Sequence, residues 1–392
     1  MISVEQAKDL LFNQISNSGS IDLEIVDALG FILSTDIYSP IDQPSFTNSA
    51  MDGYAVSSNE ERLKFKVIGE IKAGDSILYA LNPGEAVRVF TGAQIPDSAD
   101  SIIIQENVEI ENGYINVIEP YKNGAFIRNV GSMMKKGDIA LKKGTLLNAA
   151  SIGFLASMGL CKVSVYQNPR ISIITTGDEI VKPGNELKPG QIYESNSYSL
   201  AASLRNLNIK PTSILKADDN KEHLRVQIKS GLLDSDILIL TGGISVGKYD
   251  LVYETLKEFG VEPIFYKVAQ KPGKPFFAGK LNHKLIFALP GNPAAVLVCF
   301  YEYIFPVIRI MQGHLKPHLK QVKFNLLKTI RSYENRSQFI RAKIMNGGIM
   351  PLEGQDSFML HSFALADALI YVPNGTHIIE ENEEVEVHLL PH

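Results

Sequence analysis

Residues 236–250 form an apolar run, a pair of glycines and a polar loop that closes on the carboxylate of Asp250. Ile237, Leu238, Ile239 and Leu240 leave no polar face, so a strand built from them has to be covered on both sides, as in a parallel sheet packed between helices. The flanking chain has the matching texture. Strands are predicted at 170–176 and 210–215, and helices over 197–207 and 221–232, and this alternation argues for a parallel α/β sheet. Gly242 and Gly243 let the backbone approach a ligand or take positive φ. The segment after Tyr249 reads as a helix whose first amides favour an anion.

In open sheets of this kind ligands bind beyond the carboxyl ends of the strands. Thr175-Thr176-Gly177-Asp178-Glu179 follows the first strand, Asp218-Asp219 the second and the 242–250 loop the third. Carboxylates at three successive strand ends converge in space, so Glu179, Asp218 and Asp250 are candidates to share a divalent ion. An ordinary helix cap remains the alternative for Asp250. The next strand end carries the opposite charge: Lys267, Lys271 and Lys274, with Pro272 and Pro275 stiffening the backbone, make either a local anion site or a solvated charged face. A last strand, 285–289, runs into Pro290-Gly291-Asn292-Pro293, where Asn292 suits an N-cap and Pro293 the first helical position. Gly242, Gly247 and Lys248 also approximate a P-loop, but Tyr249 stands where that motif needs a short hydroxyl for magnesium.

Ahead of this region, Ser3 and Gln6 make a capping box before a helix with Val4, Ala7, Leu11 and Ile15 on one face. A proline-punctuated stretch at 39–46 marks a boundary near residue 43. Beyond it Asp52 sits among small residues in Asn-Ser-Ala-Met-Asp-Gly-Tyr-Ala, a turn by residue type and a functional carboxylate by alternative. Strands at 65–71, 86–91 and 101–108 and a hairpin at Asn112-Gly113 make a small β domain. Thr91-Gly92-Ala93 offers a hydroxyl and amides to a phosphate, or a plain turn. Helical periodicity at 149–158 is expected to rejoin the opening helix. Beyond His314 strands return, and Arg341 and Ser357 have no special standing by residue type. The expected layout is 1–42 with 136–168, an insert at 43–135, an α/β domain at 169–313 and a β domain at 314–392.

With a net charge of −5, no global basic field exists to hold nucleic acid, so any anion depends on a local cluster. Cys161 and Cys299 are the only cysteines. They cannot build a disulfide framework or a four-ligand zinc site, and they fit a reducing compartment, by default the cytoplasm. The eight histidines are scattered without zinc-site spacing. No basic region followed by an apolar stretch opens the chain, so no signal peptide is expected. The most apolar window, 293–310, contains Glu302, Pro306 and Arg309 and reads as a buried helix rather than a membrane span.

The strings NSAMDGYA, TGA, TTGDE, TGGISVGKYD, KPGKP and LPGNP, in this order, resemble the MoeA family of molybdopterin molybdenumtransferases, related to the E domain of gephyrin. The resemblance covers essentially the whole chain. It implies a multidomain α/β plus β fold: a parallel-rich, MoaB/MogA-like central α/β domain, an inserted small β domain, an elongated N-terminal helix/strand domain and a C-terminal β domain. It implies magnesium-dependent insertion of molybdate into adenylylated molybdopterin with release of AMP. By motif, Asp52, Thr91, Glu179, Asp218, Asp250, Lys267 and Lys271 become catalytic residues. Gly242, Gly243, Ser245, Gly247, Lys274, Pro290, Pro293, Arg341 and Ser357 become substrate-binding residues, and Glu179, Asp218 and Asp250 magnesium ligands. A homodimer is implied, the insert of one subunit facing the α/β and C-terminal domains of its partner, with transient contact to a molybdopterin adenylyltransferase and to acceptor molybdoenzymes. Neither nucleic acid nor membrane is expected as a partner. One departure stands out: Ser132-Met133-Met134 replaces the acidic pair and apolar residue common in the family, and Met133 cannot ligate magnesium. The alternatives are a gephyrin-like scaffold and a P-loop nucleotide hydrolase.

Overall fold

The structure is a computed structural model that describes residues 1–57, 62–76, 79–244, 251–332, 335–376 and 378–391. Its contacts divide the chain into two compact units, Met1–Asp22 with Gly30–Ser34 and Ser164–His392, and Leu23–Leu29 with Thr35–Val163.

The first unit is organised on a six-stranded sheet in the order Ser213–Ala217, Ile171–Thr176, Ile237–Thr241, Lys284–Leu289, Phe277–Leu281, Glu262–Tyr266. The first four strands are parallel. The sheet is mixed rather than wholly parallel, because the last two strands each pair antiparallel with their neighbour. Two reversals restore the original direction, so Tyr266 leads into Lys267 at the same sheet edge where Thr241 leads into Gly242. Both faces are covered, as the unbroken apolar runs require. Ile171, Ile173, Ile237 and Ile239 pack with Leu200 and Leu204 of helix Asn196–Arg205 on one side. Ile174, Leu238 and Leu240 pack with Leu224 and Ile228 of helix Lys221–Leu233 and with Val252 and Leu256 of helix Leu251–Glu258 on the other.

The capping box forms as expected: Ser3 Oγ accepts from the Gln6 amide at 3.1 Å, and Gln6 Oε1 accepts from the Ser3 amide at 3.0 Å. The opening helix Val4–Phe12 buries Val4, Ala7 and Leu11 in the α/β core. Ile2 bridges to Val268, and the Ala269 amide donates to the Ile2 carbonyl, so this helix is anchored to the lysine-bearing loop. The helix expected to rejoin it, Ala149–Ser157, belongs to the other unit.

The apolar window is a continuous helical rod: Pro293–Cys299, a π-helical turn Phe300–Ile304, then Phe305–Met311. Residues 293–311 are long and apolar enough to cross a membrane by length and composition, but the rod is mostly buried in the core of this unit. Glu302 is also buried, and it pairs with Lys8 of the opening helix at 2.7 Å and with His388 at 2.7 Å. A second sheet runs Gln270–Lys271, Ser337–Met345, Ala368–Val372, Glu384–Leu389, Gln321–Asn325, with Gly348–Pro351 on Ser337–Met345. Its first strand is the lysine segment itself, Gln270 and Lys271 running parallel to Ser337 and Gln338.

The second unit carries the small β domain. Its six-stranded sheet has the order Ser101–Ile104, Gly53–Val56, Glu85–Val89, Lys64–Ile71, Tyr114–Val117, Val108–Glu111, the last two joined by the Asn112-Gly113 hairpin.

Candidate active site

At the carboxyl edge of the parallel strands, Thr241 passes into two glycines with φ of 87° and 65°. A Cβ on Gly242 would stand 2.5 Å from the Thr176 carbonyl, and one on Gly243 2.7 Å from Thr176 Oγ1. Only glycine fits this turn, on both backbone conformation and space. The neighbouring strand end is tied to it. Thr241 Oγ1 donates to the Pro290 carbonyl at 3.1 Å, and Asn196 Nδ2 donates to Thr241 Oγ1 at 2.9 Å and to the Gly291 carbonyl at 2.8 Å. Gly242, Gly243, Glu179 and Pro293 line a cleft of about 430 Å³ beyond these strand ends.

Asp219 lines the same cleft. Its carboxyl lies above the ordinary aspartate range because of partial burial and the nearby charges of Asp178, Glu179 and Asp218. Asp218 is engaged elsewhere: its carboxylate lies 2.8 Å from His223 Nδ1. Asp219, named beside Asp218 at the strand end but not chosen as the ligand, therefore lines the cleft with Glu179. Ser245, Gly247 and Asp250 lie outside the described residues.

Glu179 and Asp219 supply the hard oxygen donors that suit magnesium, and a divalent cation would relieve the repulsion acting on Asp219. Among the described residues no group of three metal-ligating side chains forms. The folded protein disfavours ionised Asp219, so its charge lowers stability above the folded-state pKa. Asp219→Asn is expected to raise the melting temperature near neutral pH, with the gain vanishing below the ordinary value of 3.8. Magnesium is expected to stabilise the wild type more than this variant. Scanning calorimetry across pH, with and without magnesium, checks both effects.

A second cleft, of about 400 Å³, adjoins the first, Asn292 and Phe358 lining both. Lys271, Lys274, Pro290 and Ser357 line it, together with Arg336, which the sequence reasoning did not single out. Asn292 occupies the helix N-cap position but makes no capping bond; its Nδ2 donates instead to Ser357 Oγ at 2.7 Å. The Ala294 amide donates to the Ser357 carbonyl at 3.0 Å, so the first helical turn docks the Ser357 loop against the lysine turn. Arg341 is wholly buried behind that loop, donating to the Gly354 and Asp356 carbonyls at 2.8 and 3.2 Å. Burial pushes its guanidinium down to about 10. Lys267 lines neither cleft; its ammonium lies over the Tyr266 ring, 4.7 Å from the centroid.

In the second unit Asp52 and Thr91 meet. Asp52 Oδ1 accepts from the Thr91 amide and from its hydroxyl, both at 2.7 Å. These two bonds, the backbone one foremost, hold the exposed carboxyl below its usual value and keep it ionised.

Residues 2–159 match the MoeA N-terminal region (domain I and II), 172–310 a probable molybdopterin binding domain and 323–390 the MoeA C-terminal region (domain IV). The chain is 35% identical to a molybdopterin molybdenumtransferase of Nostoc sp., over 100% of its length and 94% of that protein. It belongs to the MoeA family. A second relative of the same name, from Haemophilus influenzae, is 36% identical over 84% of each chain. The crystal structure of a molybdopterin biosynthesis MoeA protein from Pyrococcus horikosii superposes with a TM-score of 0.85 at 32% identity, covering 99% of both chains. The multidomain MoeA fold expected from the motifs is thus the fold of this chain, and the two adjoining clefts lie within and between the regions matched by the family's binding and C-terminal domains. Of the residues missed, Asn196 opens the helix expected over 197–207, while Arg336 and Phe358 carry no local signal.

Proposed function

We propose that this MoeA-family chain is a molybdopterin molybdenumtransferase that inserts molybdate into the dithiolene of adenylylated molybdopterin, AMP leaving. The observation that carries this assignment is the pairing of the two adjoining clefts: a glycine turn with carboxylates at the strand ends, beside a wall bearing Lys271, Lys274 and Ser357. The first suits a phosphate anhydride with its metal, the second an oxyanion, and their shared wall brings the two substrates side by side.

The Gly243 amide donates to a phosphate oxygen, the Gly242 amide being held by the Leu289 carbonyl at 3.3 Å, while the Asn196–Thr241–Gly291 bonds keep the two strand ends from spreading. Lys271 and Lys274 neutralise the molybdate dianion, and Ser357 orients an oxo group. The dithiolate sulfurs bond to molybdenum as oxo groups leave with protons as water, and a water molecule attacks the anhydride phosphorus, so that AMP departs and the molybdopterin keeps its phosphate. Glu179 and Asp219 would hold magnesium, which would supply charge neutralisation at the anhydride, and the motif resemblance adds Asp250 to this set. The expected four-part domain layout, a homodimer in which Asp52 and Thr91 act on the partner's substrates, transient contacts with an adenylyltransferase and with acceptor molybdoenzymes, and a cytoplasmic location belong to the same assignment, supported by the motif resemblance.

The test supplies adenylylated molybdopterin, magnesium and molybdate and measures AMP release and activation of an apo-molybdoenzyme. Wild-type protein is expected to release AMP with saturable molybdate dependence, and Lys271→Gln to need about tenfold more molybdate, the factor matching ~1.4 kcal/mol. Absence of AMP release by the wild type refutes the assignment.

A further inference from the structure

The turn that bears Lys271 and Lys274 is held from beneath by side chains to which nothing above gives a role. Gln270 is wholly buried. Its Nε2 donates to the Pro272 carbonyl at 3.0 Å and lies 3.6 Å from Cys299 Sγ. Its Oε1 accepts a short hydrogen bond from the Tyr303 hydroxyl, itself fully buried in the π-helical turn. Cys299 Sγ in turn faces the Gly273 carbonyl at 4.0 Å. A Cβ on Gly273, which has φ of 94°, would stand 2.7 Å from both Cys299 Sγ and Gln270 Nε2, so the turn sits hard against this pair. On the other side the Ser337 amide donates to the Ala269 carbonyl at 3.1 Å, and Gln270 runs in register with Ser337.

We infer that Gln270, clamped by Tyr303, is a positioning residue that sets where Lys271 and Lys274 stand in the second cleft. This inference rests on that cleft being the oxyanion site. A buried amide with both ends bonded is a rigid staple, because releasing either end leaves a buried polar group unsatisfied. The Pro272 carbonyl lies between the two lysines in the chain, so freeing it lets the turn relax. Lysine ammoniums are compact charges on flexible stems, and two of them grip one small dianion only when their backbone origins are fixed. Oxyanion affinity should therefore depend on Gln270, which borders the cleft without a charge, and on Tyr303, which lies behind it. Gly273 and the Cys299 helix complete the seat, and Tyr303 reaches Gln270 from the π-helical turn.

The test uses the full-length protein with sodium molybdate as probe, reading molybdate binding by calorimetry and the molybdate dependence of AMP release. Gln270→Met keeps the volume and removes both bonds; Tyr303→Phe removes a single hydroxyl and carries the test where Gln270→Met does not fold. Gln270→Met is expected to raise the dissociation constant and the half-saturating molybdate about tenfold, with the rate at saturation within about twofold of wild type. Tyr303→Phe should shift both constants the same way by a smaller factor, since the bond to Pro272 remains. Folded variants with unchanged molybdate constants overturn the inference while the wild type still responds to molybdate. A fall in saturating rate and melting temperature with unchanged constants overturns it too, leaving a purely structural role. Wild-type protein that binds no molybdate sinks the oxyanion assignment of the cleft, and this inference with it.

Discussion

Replacing Glu302 by Gln is expected to destabilise the first unit by about 3–5 kcal/mol, the usual consequence of breaking a buried ion pair from one side. Glu302 is 3% exposed, and each of its oxygens has a cationic partner: Lys8 Nζ at 2.7 Å and His388 Nδ1 at 2.7 Å, with Glu386 at 2.8 Å from the other His388 nitrogen. Burial opposes the charge on Glu302, but Lys8 and His388 outweigh it and hold the carboxyl below its usual value. Burial likewise opposes charge on His388, yet Glu302 and Glu386 raise it above the ordinary imidazole value. The signs define a window. The Glu302 contribution is present above the carboxylate's unfolded value of 4.5 and fades as pH falls through its depressed folded one. The His388 contribution is present below 6.5 and fades as pH rises through its elevated folded value. Urea unfolding followed by circular dichroism should show the wild-type advantage over Glu302→Gln largest between those limits. A difference under about 1 kcal/mol would mean that the network behaves like a solvated surface pair.

Gly242→Ala is expected to cut AMP release at least about a hundredfold, the scale on which a displacement of about 1 Å at a reacting centre acts. Two penalties add at this position. An L side chain in the left-handed region costs about 1–2 kcal/mol. The new Cβ would also stand 2.5 Å from the Thr176 carbonyl and 2.8 Å from Thr176 Oγ1, and the carbonyl is backbone that cannot swing away. The turn has to withdraw, carrying the Gly243 amide off the phosphate position. Gly260→Ala is the control: its φ of 78° carries the same conformational cost, but its Cβ meets nothing within 4 Å. The control should therefore melt lower while turning over normally. A Gly242→Ala variant with turnover within threefold of wild type would remove the glycine turn from the site.

The positions of the strands and the chemistry at their ends were legible because both follow from residues close together in the chain. The run 237–240 is apolar on both faces, and a strand of that kind has one stable environment. Asp52 and Thr91 were legible only as separate turns; a hydrogen bond across 39 positions joins them. Asp218 and Asp219 could not be told apart in sequence, since only the folded chain brings His223 against Asp218 and leaves Asp219 in the cleft. Lys267 and Lys271 looked alike within one cluster, yet positive φ at Lys267 lays its ammonium over Tyr266, while strand pairing carries Lys271 to the second cleft.

By itself the sequence determined the local elements and the family: the capping box, the hairpin, the apolar strands, the glycine turns and the six ordered motifs are encoded by neighbours within a few residues, where steric and hydrogen-bonding preferences act directly. Tertiary structure alone decided which distant groups meet. Lys8 finds Glu302 and His388, Asn292 leaves its cap position for Ser357, and Gln270 becomes both the first strand of the second sheet and the seat of the lysine turn. Such meetings depend on long-range packing, because the free energy that holds a buried polar group arises only once the rest of the core has excluded water around it.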